Sequence, residues 1–274
     1  MASKQVIGVF DSGYGGLTIL QEIRALLPQY DYVYLGDNAR TPYGNRSFEV
    51  VYQFTRQAVL KLFEMQCQLV ILACNTASAK ALRTIQQHDL PALGSDKRVL
   101  GIIRPTTEMI GSLTKTRHVG LLGTEGTISS GSYGMETRKL FPDIVLTGQA
   151  CPMWVPLVEN GEAASDGADY FVRQYIDALL QKDPDIDLVV LACTHYPLLY
   201  DKIRRYLPGH IQIVNQGPLV AHSLQDYLQR HQEIAQNLGQ NGRCAYYTTE
   251  QSDKFARSAS VFLQRSVQAS HLDI

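Results

Sequence analysis

Gln68-Leu-Val-Ile-Leu-Ala-Cys74-Asn-Thr76 and Asp187-Leu-Val-Val-Leu-Ala-Cys193-Thr-His195 are nearly the same sentence written twice in one chain. Each is a short run of Val, Ile and Leu that ends in Ala-Cys and two hydrogen-bonding residues, with a helix-like segment after it. Runs that are apolar on both faces, rather than alternating, belong to parallel strands covered by helices on each side. A second, weaker echo precedes each of them. Val6-Ile-Gly8-Val9-Phe10-Asp11 and His118-Val-Gly120-Leu-Leu-Gly123-Thr124 are both strands running into a turn rich in glycine and small polar residues. The order "strand and Gly-rich turn, then strand and Cys" therefore occurs twice.

Around these runs, apolar segments alternate with amphipathic ones. Strands are expected at 6–10, 31–35, 69–73, 99–103, 118–122, 144–147, 187–192, 211–214 and 245–248, and helices at 17–27, 48–65, 77–87, 131–140 and 166–181. Such alternation predicts an α/β fold of two pseudo-symmetric domains with mostly parallel sheets. Each domain would present one cysteine at the carboxyl end of a buried strand, where open α/β sheets bind ligands. The loop 91–98 is the best linker candidate and Pro208-Gly209 the next.

A chain of 274 residues with 45% hydrophobic and 19% charged residues has ample material for a core. Its formal net charge of -1 gives no footprint for nucleic acid or an anionic membrane. No apolar run is long enough to span a bilayer, and the strand at Val6 follows so closely on Met1 that no signal peptide is expected. A cytosolic protein is the expectation. Five widely spaced cysteines, 67, 74, 151, 193 and 244, with no Cys-x-x-Cys pair, argue for free thiols and against a zinc site.

Cys67, Cys151 and Cys244 read as small buried hydrophobes. Cys74 and Cys193 differ, because each lies just past its apolar run at the start of a helix-like segment. The amides and positive dipole end of a helix beginning there are expected to lower the thiol pKa, with Pro197 suited to the first helical position after Cys193. Two matched thiols from opposing domains suit one task well, the inversion of a stereocentre, in which a base works on one face and an acid on the other. The turn Phe10-Asp-Ser-Gly-Tyr-Gly-Gly-Leu17 could pass for a dinucleotide fingerprint, but it lacks the third glycine and carries Asp11 where a pyrophosphate would sit. Asp11 is better placed as proton partner of a thiol or as a helix cap, with Ser12 and the turn amides free to bind a carboxylate. Thr124 and Thr127 read equally as a cap or as recognition groups. Glu159 taken alone reads as a solvated helix residue, and His195 could tune Cys193.

The blocks Gly8-Val-Phe-Asp-Ser-Gly-Tyr-Gly-Gly-Leu17, Gly36-Asp-Asn-Ala-Arg-Thr-Pro-Tyr-Gly44, Ala73-Cys-Asn-Thr-Ala77 and Ala192-Cys-Thr-His-Tyr-Pro197 closely resemble the glutamate racemases of the aspartate/glutamate racemase family. Gly123-Thr-x-x-Thr127-Ile, Val155-Pro-Leu-Val-Glu159 and Tyr247-Thr-Thr249 extend the likeness, in order, over nearly the whole chain. The resemblance implies a first domain of residues 1–98 plus 211–274, a second of 99–210, and the active site in the cleft between them. It implies no cofactor, a homodimer, glutamate as substrate and a role in supplying D-glutamate for peptidoglycan. It implies Cys74 and Cys193 as the catalytic pair, with Asp11 beside the first and Glu159 and His195 beside the second. Asp11, Ser12, Tyr43, Gly44, Asn75, Thr76, Thr194 and His195 match substrate contacts, to which Thr124 and Thr127 are added. Two places depart from the pattern. Arg104-Pro-Thr-Thr107 stands where Pro is followed by Gly, and Asn215-Gln-Gly217 replaces Asp-Ser-Gly; both are expected to affect hinge or interface details and leave the chemistry alone. The competing readings are a racemase for aspartate or another amino acid, an inactive homologue retained for binding, and a Rossmann-type oxidoreductase.

Overall fold

Both cysteine-bearing runs are central parallel strands in a computed structural model that describes residues 4–94 and 96–274. The strands in chain order are β1 (Ile7–Asp11), β2 (Tyr32–Gly36), β3 (Leu69–Leu72), β4 (Arg98–Gly101), β5 (His118–Gly123), β6 (Val145–Ala150), β7 (Leu188–Ala192), β8 (Gln212–Val214), β9 (Cys244–Thr248) and β10 (Ser270–His271). They form a six-stranded sheet, β10-β9-β2-β1-β3-β4, and a four-stranded sheet, β6-β5-β7-β8. Every pairing between these strands is parallel. The order β2-β1-β3-β4 is matched strand for strand by β6-β5-β7-β8, so the internal echo in the sequence is an echo in topology. The chain continues from β1 to a neighbour on one side and then to β3 on the other, and β5 does the same with β6 and β7. The crevice at the carboxyl ends of such a strand pair is where α/β sheets leave room for a ligand.

All five residues of β1, β2 and β7 and all four of β3 are buried, as runs without alternation require. Helices cover both faces. Gly16–Leu26 turns Leu17, Leu20 and Ile23 inward, and it packs against Gln216–Arg230, which supplies Val220, Ala221 and Leu224. These side chains belong to one apolar cluster that also holds Ile7 and Val9 of one sheet and Val189 and Leu191 of the other, so the two sheets share a core.

The expected boundaries need moving. Division at 98/99 cuts β4 and division at 210/211 removes β8 from its sheet: β4 aligns Val99 with Val70 of β3, and β8 aligns Gln212 with Leu188 of β7. Sheet membership therefore switches after Gly101 and after Val214, because a strand stays with the ladder that satisfies its amides. The helix expected at 77–87 begins at Asn75, capped by Cys74, and continues in pieces through Leu82–Thr84 and a π-helical turn, Ile85–Asp89. The linker expected at 91–98 is mostly structured: Leu90–Leu93 is helical and Arg98 opens β4. Ser95, in the middle of that stretch, lies outside the described residues. Pro208-Gly209 sits in a turn leading to β8, inside one sheet unit rather than between the two. No helix among the described residues is long and apolar enough to cross a membrane.

Candidate active site

Cys74 and Cys193 open onto the same cavity, of about 280 Å³, in the crevice between the carboxyl ends of the two sheets. Its wall also includes Ser12, Tyr43, Gly44, Asn75 and Thr76 from one side, and Thr124, Glu159, Thr194 and His195 from the other. Of the residues singled out in the sequence, only Asp11 and Thr127 stand behind the wall, both buried. Around the expected Glu159, nothing in the sequence signals that Pro152, Val155, Pro156 and Asn160 also contribute to the wall. A larger groove of about 790 Å³ lies elsewhere and contains no cysteine or histidine, so size does not identify the site.

The two thiols have different neighbours. Cys74 caps the helix Asn75–Lys80, its Sγ accepting from the Ala77 amide at 3.4 Å, and Ser12 Oγ lies at 3.4 Å. The helix-terminal setting is as expected, but its effect on the thiol is outweighed. Burial first, and the Asp11 charge second, push the Cys74 thiol up to about 12 against the lowering from Ser12 and Ala77. Asp11, at the end of β1, takes a hydrogen bond from the Gly13 amide at 2.9 Å. Burial raises its carboxyl, opposed by the charge of His195 and the amides of Gly13 and Gly16.

Cys193 follows β7 directly and does not cap an α-helix; Tyr196–Leu199, with Pro197 in its first turn, is a short 3-10 helix that starts three residues later. Its partner is a side chain. His195 Nδ1 lies 3.9 Å from Cys193 Sγ, and His195 Nε2 lies 2.9 Å from Glu159 Oε1. Burial pulls the His195 pKa down, but the hydrogen bonds and charges of Cys193 and Glu159 more than reverse this and carry it up to about 10. Glu159 ends the helix Trp154–Glu159 and is half-buried against the imidazole, not solvated. The edge of Phe262 meets the His195 ring at 5.5 Å between centroids and holds it in place. Gly15 also matters here for a reason its sequence setting did not reveal: a Cβ on it would stand 2.2 Å from Thr194 Oγ1 and 2.5 Å from His195 Nδ1.

Three threonine hydroxyls meet at the crevice. Thr76, Thr124 and Thr127 form a triangle with Oγ1 separations of 3.0, 3.4 and 3.1 Å, joining the two halves of the molecule. Thr124 also caps Glu125–Ser129, so the capping and recognition readings coexist in one side chain. Gly44 O accepts from the Gly126 amide at 2.7 Å, which fastens the loop after β2 across the crevice. Tyr43 gives its hydroxyl to Asp37, so only its ring and backbone are left for the cavity. The two departures from the resembled pattern touch each other, Gln216 Nε2 donating to Thr106 Oγ1 at 2.8 Å. Gln216 also accepts from Asn75, a wall residue, so this pair reaches the site rather than a remote hinge. His118, Asp183 and Asp185 have ligand atoms within 4.8 Å of one another, but at the amino end of β5, away from Thr124 at its carboxyl end.

Two thiols thus line one cavity, one with an imidazole and a carboxylate beside it and one with a buried carboxyl group, an arrangement chemically able to move protons. The chain matches the family described as Asp/Glu/Hydantoin racemase over residues 17–224, and it belongs to that family of isomerases. Within it, the protein is similar to a glutamate racemase of Dinoroseobacter shibae, 38% identical over 272 residues that cover 96% of this chain and 97% of the relative. Among solved structures, glutamate racemase isoform RacE1 of Bacillus anthracis superimposes with a TM-score of 0.89 at 33% identity, covering 98% of each chain. Glutamate racemase of Francisella tularensis in complex with D-glutamate gives 0.86 at 28% identity, covering 99% of this chain and 97% of that one.

Proposed function

We propose that this protein is a glutamate racemase that interconverts L- and D-glutamate by two-base proton transfer between Cys74, Cys193 and the α-carbon. The observation that carries the reading is that both thiols reach one cavity from opposite sheets. The glutamate racemase relatives, one of them solved with D-glutamate, support the choice of substrate.

In the L-to-D direction, Cys193 as thiolate removes the α-proton and the Cys74 thiol delivers its own proton to the opposite face. The electron pair of the broken C–H bond ends in the new one, and the charge ends on Cys74. The settings of the thiols suit this direction from the resting state. Burial and Asp11 keep Cys74 protonated, ready to act as an acid. Cys193 has the His195 imidazolium as counter-charge, itself held by Glu159. In the reverse direction the Asp11 carboxylate is the base at hand to take up the Cys74 proton, and the Ser12 hydroxyl, 3.4 Å from Sγ, can donate to the thiolate left behind. Ser12, Asn75, Thr76, Thr124 and Thr194, with the backbone of Tyr43 and Gly44, would hold the two carboxylates and the ammonium, while Thr127 braces Thr76 and Thr124. Two domains, one per sheet, would close on the substrate, and the reading includes a cytosolic homodimer that needs no cofactor and supplies D-glutamate for peptidoglycan. Pure protein incubated with each enantiomer of glutamate and of aspartate, without additions, tests this by optical rotation. Loss of rotation with either glutamate enantiomer is expected; loss with aspartate alone would overturn the substrate assignment.

A further inference from the structure

Asn75, next to Cys74 and on the cavity wall, does not hold its carboxamide alone. Its Nδ2 donates to Gln216 Oε1 at 2.6 Å, Gln216 Nε2 donates to the Tyr133 hydroxyl at 2.7 Å, and that hydroxyl donates to Asn75 Oδ1 at 2.7 Å. The three groups make a closed ring in which each donates once and accepts once. Thr106 sets its direction. The Thr106 hydroxyl has one proton and gives it to the Ile102 carbonyl at 2.8 Å, so toward Gln216 Nε2, also at 2.8 Å, it can only accept. The Gln216 nitrogen must then face Thr106 and Tyr133, its oxygen must face Asn75, and the Asn75 amide has one orientation left.

All four side chains are buried, and each comes from a different helix: Asn75–Lys80, Ile103–Leu113, Ser132–Leu140 and Gln216–Arg230. Thr106 and Gln216 follow the two points at which the chain crosses between sheets. The ring thus fastens both crossings to a residue of the cavity wall. Within a buried site such a ring is stiff, because opening any one bond leaves two polar groups unsatisfied.

We propose that Gln216, with Tyr133 and Thr106, forms a set of positioning residues that fixes the Asn75 carboxamide so that its second Nδ2 proton serves an anionic oxygen of the substrate. The proposal rests on the racemase reading for the identity of that substrate, though not for the ring itself. None of the three touches the reacting atoms. Their contribution is to binding, so it should be felt equally in the bound substrate and in the transition state.

The test uses Tyr133→Phe, which removes one oxygen and leaves the packing, Gln216→Leu, and the double variant, all as full chains. Each single change should raise KM for glutamate about tenfold, equal to about 1.4 kcal/mol, with kcat within about threefold of wild type. Because a broken ring cannot be broken again, the double variant should be no worse than the poorer single one. Folded variants with wild-type KM, or losses that multiply in the double variant, would overturn the proposal. In wild type the one Asn75 Nδ2 proton bonded to Gln216, identified by NMR of asparagine-labelled protein against Asn75→Asp, should resist exchange with solvent, and in Tyr133→Phe it should exchange. Rapid exchange in wild type would overturn the ring whatever the substrate is. Wild-type protein that leaves both glutamate enantiomers unchanged would instead overturn the racemase reading and the substrate half of this proposal, with the exchange result still deciding the ring.

Discussion

Glu159→Gln deletes one charge and keeps the shape of the side chain that holds His195. The imidazole owes its upward shift, to about 10, to Cys193 and Glu159 acting against burial. A hydrogen bond to a charged group is worth about 1.5–3 kcal/mol and one pKa unit about 1.4 kcal/mol, so the substitution should lower that pKa by about one to two units. The basic limb of the kcat/KM profile, where the His195 imidazolium loses its proton, should move down by the same amount. Stability should follow with a defined sign. A histidine raised from 6.5 in the unfolded chain stabilises the fold fully below that value and loses the contribution as pH rises through about 10. The variant's deficit in melting temperature should therefore be full at pH 6.5 and below and vanish above pH 10. Since the enantiomers of glutamate are equally stable in water, kcat/KM must fall equally in both directions, which checks the data internally. A uniform loss of activity at every pH, with the basic limb unmoved, would refute the relay from Glu159 through His195 to Cys193.

Alkylation with iodoacetamide near pH 8 should label Cys193 first and Cys74 second, with D-glutamate protecting both, because they are the two thiols on the cavity wall. Cys67, Cys151 and Cys244 are away from the wall, so D-glutamate should leave their labelling unchanged; peptide mapping that finds label only on these would exclude the site. Gly44→Ala would bring a methyl carbon to 2.9 Å from Thr124 Cβ, straining the loop fastened by Gly126 by about 1–3 kcal/mol. Steady-state kinetics should show kcat/KM reduced at least about tenfold, and unchanged kinetics would mean that the loop does not shape the cavity.

The fold was legible wherever one strand's composition sufficed. Leu69–Leu72 and Leu188–Ala192 are too uniformly apolar to be anything but covered parallel strands, and their twin endings announced the repeat. The sheet boundaries were not legible, because whether Arg98–Gly101 joins β3 or starts the next unit depends on a ladder partner far away in sequence. The same limit applied to the site. Cys74, Cys193 and the turn after β1 were visible as local patterns, whereas Glu159 taken alone read as a solvated residue and only the family resemblance put it beside Cys193; the fold sets it 2.9 Å from His195. Gln216 looked like a hinge detail because its partner Asn75 is 141 positions away. The expected fall in the Cys74 thiol pKa failed for a related reason: helix geometry can be read from sequence, but the depth of burial that outweighs it cannot.

Racemisation in D2O with wild type and Cys193→Ala tests the two-thiol account most directly. Starting from either enantiomer of glutamate, mass spectrometry after chiral separation should find α-deuterium early in the enantiomer being formed, with the remaining substrate still protiated. One thiol takes the substrate proton on its face and the other supplies a solvent-derived deuteron on the opposite face. Cys193→Ala should abolish conversion in both directions, since each needs one thiolate and one thiol. Equal labelling of both enantiomers from the first turnovers, or near wild-type conversion by Cys193→Ala, would contradict the account.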